Sequence, residues 1–186
     1  MGLPERKLPV LPGALRTTGL ILLIFEYTLE YMTDDLTIRD LAVRSVSRYP
    51  TDIAFSVLNG DEWRYDEVGR TIVELHRLFR SRGIKGGDRI ALLGENKPEW
   101  SIAYLAVASY GAVVVPILPD FSSEDIESIL QHSASRALLV ASKPLEKLES
   151  TGVPARLQEC DVLRLEDTVV CRSHSETETT DVEKIT

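Results

Sequence analysis

The stretch Gly87-Asp88-Arg89-Ile90-Ala91-Leu92-Leu93-Gly94-Glu95-Asn96-Lys97-Pro98-Glu99-Trp100 decides the fold of this chain. The run over residues 89–93 is apolar after Arg89, is short and is bounded by turn-forming residues, which indicates a buried strand. Pro98 suits the first turn of a helix, because a proline there sacrifices no intrahelical hydrogen bond. The stretch therefore predicts a strand followed by a helix, as in the first half of a βαβ unit.

The same alternation continues toward the carboxyl end. Gly111 is expected to end the helix that Pro98 opens. The elements predicted next are a strand over 112–116, a capped helix after Ser122-Ser123, a strand over 137–140 and a short helix over 144–148. The strand over 112–116 is apolar throughout, which is typical of strands covered by helices on both faces. We therefore expect an α/β fold with βαβ units on a mainly parallel sheet.

A small hairpin is expected before this sheet. A helix that starts near Thr37 ends at Tyr49-Pro50, since the residue before a proline avoids the helical region. Two short strands, over 53–57 and 62–65, flank the turn Asn59-Gly60-Asp61, and Asn-Gly favours a tight hairpin turn. The next helix is predicted to be capped by Asp66 and to end at Gly83.

The composition is close to that of an average globular protein, with 44% hydrophobic and 27% charged residues, so most of the chain is expected to fold. The formal net charge is −8, and half of it lies in residues 161–186, which contain seven acidic and three basic residues. An acidic chain argues against a nucleic-acid-binding surface, because phosphate groups favour a basic one.

A cytoplasmic location is expected from the cysteines and the hydropathy. Cys160 and Cys171 are too few for a disulfide scaffold or a zinc site. The apolar run over residues 20–25 is much shorter than the ~20 residues that a membrane-spanning helix needs. Pro9 and Pro12 interrupt the region before this run, which argues against a signal peptide. No transmembrane segment is therefore predicted, and peripheral membrane contact is left open.

The chain is predicted to consist of three regions that differ in composition. Residues 1–31 are proline-rich and are predicted to be an appendage that is not native, with Met32 as the natural start. Residues 32–150 hold the predicted α/β elements. Residues 151–186 are predicted to continue this domain and to end in an acidic linker, because residues 172–180 lack large apolar groups.

No catalytic, cofactor-binding or metal-binding residue is assigned from the sequence. Gly86-Gly87 is followed by an acidic residue rather than by the Lys-Ser or Lys-Thr of a phosphate loop, so a sharp turn is the preferred interpretation. His76 is expected on the polar side of its helix, His132 near a helix end and His174 in the acidic tail, with no ligand spacing among them. The carboxylate pairs Asp34-Asp35 and Glu124-Asp125 are explained by helix starts, and Ser122-Ser123 by capping.

The most informative polar residues lie in the stretch 94–100, where the first parallel strand ends. Ligands of open α/β sheets bind at this edge. A purely structural explanation is also open and is preferred, in which Asn96 caps the helix, Glu99 favours its amino-terminal dipole and Trp100 fills the core.

Three blocks of sequence, in this order, resemble the amino-terminal region of adenylate-forming enzymes, in particular long-chain fatty acyl-CoA synthetases. The blocks are residues 87–100, Ala103-Tyr104-Leu105-Ala106 and Gly111-Ala112-Val113-Val114-Val115-Pro116-Ile117. The resemblance runs from about Thr37 to Val140. It favours the fatty-acid branch through Lys97-Pro98-Glu99-Trp100.

The resemblance implies a two-step reaction in the whole enzyme, with ATP, Mg²⁺ and CoA: a fatty acid attacks the α-phosphate of ATP, and the thiol of CoA then displaces AMP. The family's phosphate loop and catalytic lysine match nothing here, and residues 181–186 resemble the segment that leads into that loop. We therefore expect a fragment without activity of its own. Two alternatives remain: a non-catalytic binding or regulatory module, and another adenylate-forming enzyme such as an amino-acid adenylating domain or an aryl-CoA ligase.

Overall fold

The computed structural model describes residues 37–58, 60–157 and 159–169. The predictions made for the appendage 1–31, Met32, Asp34-Asp35, Asn59, Cys171, His174 and the acidic tail lie outside these residues. The elements, in chain order, are α1 (Ile38–Arg48), β1 (Ile53–Ser56), β2 (Glu62–Arg64), α2 (Tyr65–Ser81), β3 (Arg89–Leu93), α3 (Pro98–Tyr110), β4 (Val113–Ile117), α4 (Ser123–Ser133), β5 (Ala137–Val140), α5 (Ser142–Ser150), α6 (Val153–Arg156), β6 (Asp161–Arg164) and α7 (Leu165–Thr168).

Strands β3 to β6 form a parallel sheet in the order β4-β3-β5-β6. Leu92 of β3 lies between Pro116 of β4 and Leu139 of β5. The antiparallel pair β1–β2 precedes this sheet, with Phe55 opposite Trp63. The predicted α/β class, the mainly parallel sheet and the preceding hairpin are confirmed.

Helices cover both faces of the sheet, and alternate residues of each strand supply the two cores. On one face, Ile90 and Leu92 pack with apolar residues of α2 and α3, among them Ile72 and Val107. On the other face, Leu93 and its neighbours pack with residues of α4, α5 and α6. All four residues of β5 are fully buried. The continuous apolar run over 137–140 is explained by this double cover.

Strand β4 differs from its prediction. It lies at the edge of the described sheet and is covered only in part: Val114 packs against one core and Val115 against the other, while Val113 retains 49% of its surface exposed. The amide of Val113 donates to the carbonyl of Asp88, next to β3. Since successive residues of a strand alternate in direction, Val114 and Pro116 turn their backbone groups away from β3. The proline therefore interrupts no hydrogen bond within the sheet.

The ends of α1 and α2 follow the sequence signals with one correction. Thr37 caps α1 and exchanges hydrogen bonds with Asp40, as in a capping box. Asp66 is not the cap of α2: strand β2 runs directly into the helix, and the backbone amide of Arg64 donates to the carboxylate of Glu67 at 2.7 Å. The predicted end at Gly83 is confirmed by its φ of +69° and by the amide of Ile84, which donates to the carbonyl of Phe79.

The segment after residue 150 contains elements that the sequence did not predict. Strand β6 pairs with β5 over the full length of both strands, and α7 follows it without a loop. Residues 161–169 therefore extend the same sheet and bring a further connection to its carboxyl edge. The division of the chain at residues 31 and 150 stays a prediction. No helix in the described part of the chain is long and apolar enough to cross a membrane.

Candidate functional site

The strand order creates a natural crevice at the carboxyl ends of β3 and β5. The chain leaves β3 toward α3 on one face of the sheet and leaves β5 toward α5 on the other face. The two connections therefore diverge between neighbouring parallel strands. A divergence of this kind is where open α/β sheets bind their ligands, because no connection fills the space between the strand ends.

A cleft of about 140 Å³ lies at this position. Its lining comes from the connections after β3, β5 and β6: Glu95, Lys97, Glu99, Trp100, Ala141, Lys143, Pro144, Leu165 and Glu166. The stretch 94–100, which the sequence placed at this edge, supplies four of these residues. The sequence did not indicate the other five, because the strand order that brings them here cannot be derived from local patterns.

Gly94 allows the three connections to approach one another. A Cβ atom at this position would lie 3.3 Å from Leu165 Cδ1 and 3.4 Å from both Ala141 Cβ and Trp100 Cδ1. A side chain at residue 94 would therefore push against the walls of the cleft. The glycine is explained by this close contact, since its φ lies outside the left-handed region.

Charged side chains surround the opening of the cleft. Glu95 lies 3.5 Å from Lys97 Nζ and 3.9 Å from Lys143 Nζ. All three side chains are about half exposed or more, so these ion pairs contribute little to stability.

Glu166 fills the amino-terminal end of α5. Both of its carboxylate oxygens accept from the backbone amide of Ser142, at 3.0 and 3.1 Å. Partial burial acts to raise the pKa of Glu166, but its hydrogen bonds, chiefly from Ser142, and the nearby charge of Lys97 lower the pKa overall. The position where this helix favours an anion is thus taken by a carboxylate of the chain itself.

The helix start at α3 is built differently from the expectation. Lys97, not Asn96, occupies the N-cap position, and no side chain among the described residues caps this end. Trp100 is half-buried and stacks on Tyr104 at a centroid distance of 5.6 Å. The Oε2 atom of Glu99 is buried and has no hydrogen-bond partner within the described residues. The structural explanation from the sequence therefore fails for Asn96 and holds in part for Trp100.

The other candidates from the sequence lie away from this cleft. His76 is buried, with 2% of its surface exposed, and not on the polar side of α2 as predicted. His132 is exposed near the end of α4. The side chain of Ser122 caps α4 by accepting from the amide of Asp125 at 3.1 Å, as predicted. Within the described ranges, no three His, Cys, Asp or Glu side chains are grouped closely enough to hold a metal ion.

An open parallel α/β sheet with a crevice at its switch point defines the class of α/β proteins that bind small ligands at the strand ends. Comparison with known proteins narrows this class. Residues 43–185 match the family of AMP-binding enzymes. The chain belongs to this family.

The relatives include two kinds of synthetase. The chain is 36% identical over 120 residues to surfactin synthase subunit 2 of Bacillus subtilis. This alignment covers 64% of this chain and 3% of that protein. The chain is also 28% identical over 120 residues to long chain acyl-CoA synthetase 4 of Arabidopsis thaliana. That alignment covers 60% of this chain and 18% of the plant protein. The chain therefore spans a small part of the curated relatives that it matches.

The fold has been observed in solved structures. A crystal structure described as a long-chain-fatty-acid CoA ligase of Rhodopseudomonas palustris superimposes with a TM-score of 0.63 at 21% identity. The superposition covers 78% of this chain and 38% of that one. This agreement identifies the fold as that of the amino-terminal subdomain of acyl-CoA synthetase-like enzymes.

Proposed function

We propose that this chain is the amino-terminal part of an ATP-dependent long-chain fatty acid-CoA ligase. In the whole enzyme the acid is activated as an acyl-adenylate, and the thiol of CoA then displaces AMP; ATP, Mg²⁺, CoA and a fatty acid are its substrates and cofactors. The observation that carries the proposal is the family match over residues 43–185. The motif Lys97-Pro98-Glu99-Trp100 and the likeness to long chain acyl-CoA synthetase 4 favour the fatty-acid branch.

We propose that the described residues alone do not hold a magnesium-bound triphosphate. The amino-terminal end of α5 is already occupied by Glu166, and Glu95 is paired with both lysines of the cleft. We therefore propose that these residues form a supporting wall of the enzyme and take no chemical step. Stabilisation of phosphate charge and alignment of the attacking group supply most of the rate enhancement in such reactions, so the chain alone is expected to be inactive.

A direct assay tests this proposal. The purified chain is incubated with ATP, MgCl₂, CoA and palmitate, and released AMP and palmitoyl-CoA are measured by chromatography. We expect neither product above a blank without protein. Release of AMP that depends on both palmitate and Mg²⁺ would show that the described residues, or those beyond them, suffice for catalysis.

A second candidate is the adenylation of an amino acid, which the 36% identity to surfactin synthase subunit 2 favours. The two candidates differ in the acid that drives ATP–pyrophosphate exchange. The polypeptide encoded by the complete reading frame is assayed with palmitate, with a mixture of amino acids and with benzoate. Exchange with palmitate alone supports the ligase, whereas exchange with amino acids alone supports the second candidate and contradicts the first.

A non-catalytic module with the same fold is the third candidate. Sequencing of the coding region beyond Thr186 separates it from both enzymes. A Ser/Thr/Gly-rich loop with a lysine is expected to follow if the protein is a ligase. If the codon after Thr186 is a stop, isothermal calorimetry of the chain with ATP, CoA and palmitate tests whether it binds any of them.

A further inference from the structure

His76 lies where helices α1, α2 and α3 meet, away from the cleft. Its Nε2 atom is 2.9 Å from the carbonyl oxygen of Ala106 and 3.1 Å from the hydroxyl oxygen of Ser109, both on α3. A carbonyl oxygen only accepts, so Nε2 carries a proton and donates it. The neutral ring already uses this proton, and a second proton would make the buried ring a cation.

Within the described ranges, the two charged side chains that act on the pKa of His76 are both positive. From α1, Arg39 donates through Nε to the carbonyl oxygen of Ser109 at 2.6 Å. From α2 itself, Arg80 lies over the ring of Tyr110 at 5.9 Å, and the same ring of α3 is 5.2 Å from that of His76. Burial lowers the pKa of His76; the hydrogen bond to Ala106 opposes this effect, and Arg80 and Arg39 add to it.

We propose that His76 makes the packing of α1, α2 and α3 sensitive to acid, so that protonation of its ring loosens this helical layer. The cation would be buried between the helices, near the half-buried Arg39 and the exposed Arg80. The three helices contact one another pairwise, and the ring of His76 is hydrogen-bonded across the contact between α2 and α3.

The sign of the pH dependence follows from linkage. The pKa of His76 is lowered in the folded chain, so the unfolded chain binds its proton first as the pH falls. The contribution of the neutral ring to stability is complete above the unfolded pKa, about 6.5, and is lost as the pH falls below it. One proton taken up on unfolding changes the unfolding equilibrium constant by up to about tenfold per pH unit.

The variant His76→Gln isolates this effect, because the glutamine amide still donates to Ala106 but does not titrate between pH 5 and 8. Urea unfolding of both proteins is measured from pH 8 to pH 5. We expect the unfolding constant of the parent chain to rise, relative to that of His76→Gln, by up to about tenfold per pH unit below pH 6.5. The control variant His132→Gln should retain the parent's pH dependence, because His132 is exposed. Equal pH dependence in parent and His76→Gln would overturn the proposal.

Two further measurements cover the case in which His76→Gln fails to fold. The double variant His132→Gln/His174→Gln leaves His76 as the only histidine, since the sequence contains three. Its proton NMR signal should titrate with a midpoint below 6.5, and a midpoint at or above 6.5 would refute the proposal. Hydrogen-exchange protection factors of this double variant, which are corrected for the intrinsic exchange rate at each pH, should fall at acid pH in α1 and α3 more than in β5. Uniform change across the sheet and the helices would also count against it.

Discussion

Replacing Gly87 by alanine should destabilise the chain, whereas the same change at the neighbouring Gly86 should not. Gly87 has a φ of +83°, in the left-handed region, and a Cβ atom there would meet nothing within 4 Å. The cost is therefore conformational, about 1–2 kcal/mol for an L-residue in this region. At Gly86, whose φ lies outside the left-handed region, a Cβ atom would make an ordinary 3.6 Å contact with the carbonyl oxygen of Gly111.

The two variants form a matched pair because alanine restricts the unfolded chain equally at both positions. That restriction alone stabilises a protein by about 0.4–1 kcal/mol where the native backbone accepts the change. It cancels when Gly86→Ala and Gly87→Ala are compared, so their difference measures the backbone strain at Gly87. We expect Gly86→Ala to be the more stable by about 1–2 kcal/mol. For a chain of this length, this corresponds to roughly 2–8 °C in melting temperature.

Urea unfolding followed by circular dichroism at pH 7.5 measures this difference. The slope of the free energy against urea should be the same for both variants, since neither changes the surface exposed on unfolding. Equal midpoints for the two variants would refute the assignment of a left-handed turn to Gly87. A difference of the expected size would support the interpretation of Gly86-Gly87 as a sharp turn before a buried strand.

Three further predictions concern the core, a helix start and a thiol. Leu139→Ala, in the fully buried strand β5, should cost about 2–5 kcal/mol in urea unfolding, while Leu118→Ala, at a side chain that is 62% exposed, should change stability by less than about 0.5 kcal/mol. Ser122→Ala removes the cap of α4 and should lower the free energy of unfolding by about 1 kcal/mol; an unchanged midpoint would show that this hydroxyl is not the cap. Burial raises the pKa of Cys160 to about 11, so little of the reactive thiolate is present in the folded chain at pH 8. In a Cys171→Ser variant at this pH, iodoacetamide should therefore alkylate Cys160 roughly two orders of magnitude more slowly in buffer than in 8 M urea. Equal rates would contradict this burial.

The sequence predicts the local elements of this fold well where periodicity and chain breaks agree. The apolar run before Gly94, the Pro98 helix start and the Ser122 cap each correspond to an observed element boundary. These signals depend on a few residues that are adjacent in the sequence, so they can be recognised without the structure. Strand β6 was missed because Asp161 and Arg164 at its ends give it the appearance of a polar segment.

Burial was harder to predict than secondary structure. His76 was expected on the polar side of α2, yet α3 packs against this side chain and supplies acceptors for the ring. Strand β4 was expected to be covered on both faces, yet it lies at the edge of the described sheet and Val113 stays half exposed. Burial depends on the order of the strands and on the neighbours of each helix, and a sequence alone gives neither.

The candidate site combines residues that local sequence patterns indicated with residues that only the order of the strands brings together. The sequence identified the stretch after β3, because the end of a parallel strand is a favoured ligand position. Ala141, Lys143, Leu165 and Glu166 join this stretch only through the order β3-β5-β6. Glu166 in particular lies 24 residues from the amide that it accepts from, and no local pattern links the two.

The position of Pro116 has a consequence for how this chain behaves at high concentration. A strand that added to the side of β4 that faces away from β3 would find the amide of Val114 but no amide at Pro116, because a proline nitrogen has no hydrogen to donate. The ladder of donors that stacking strands need is thereby broken in its middle. The side chain of Val113, which is 49% exposed, would favour such stacking, and the missing hydrogen at Pro116 is a safeguard against it. Substitution of Pro116 by valine would remove the safeguard while leaving every hydrogen bond to β3 intact.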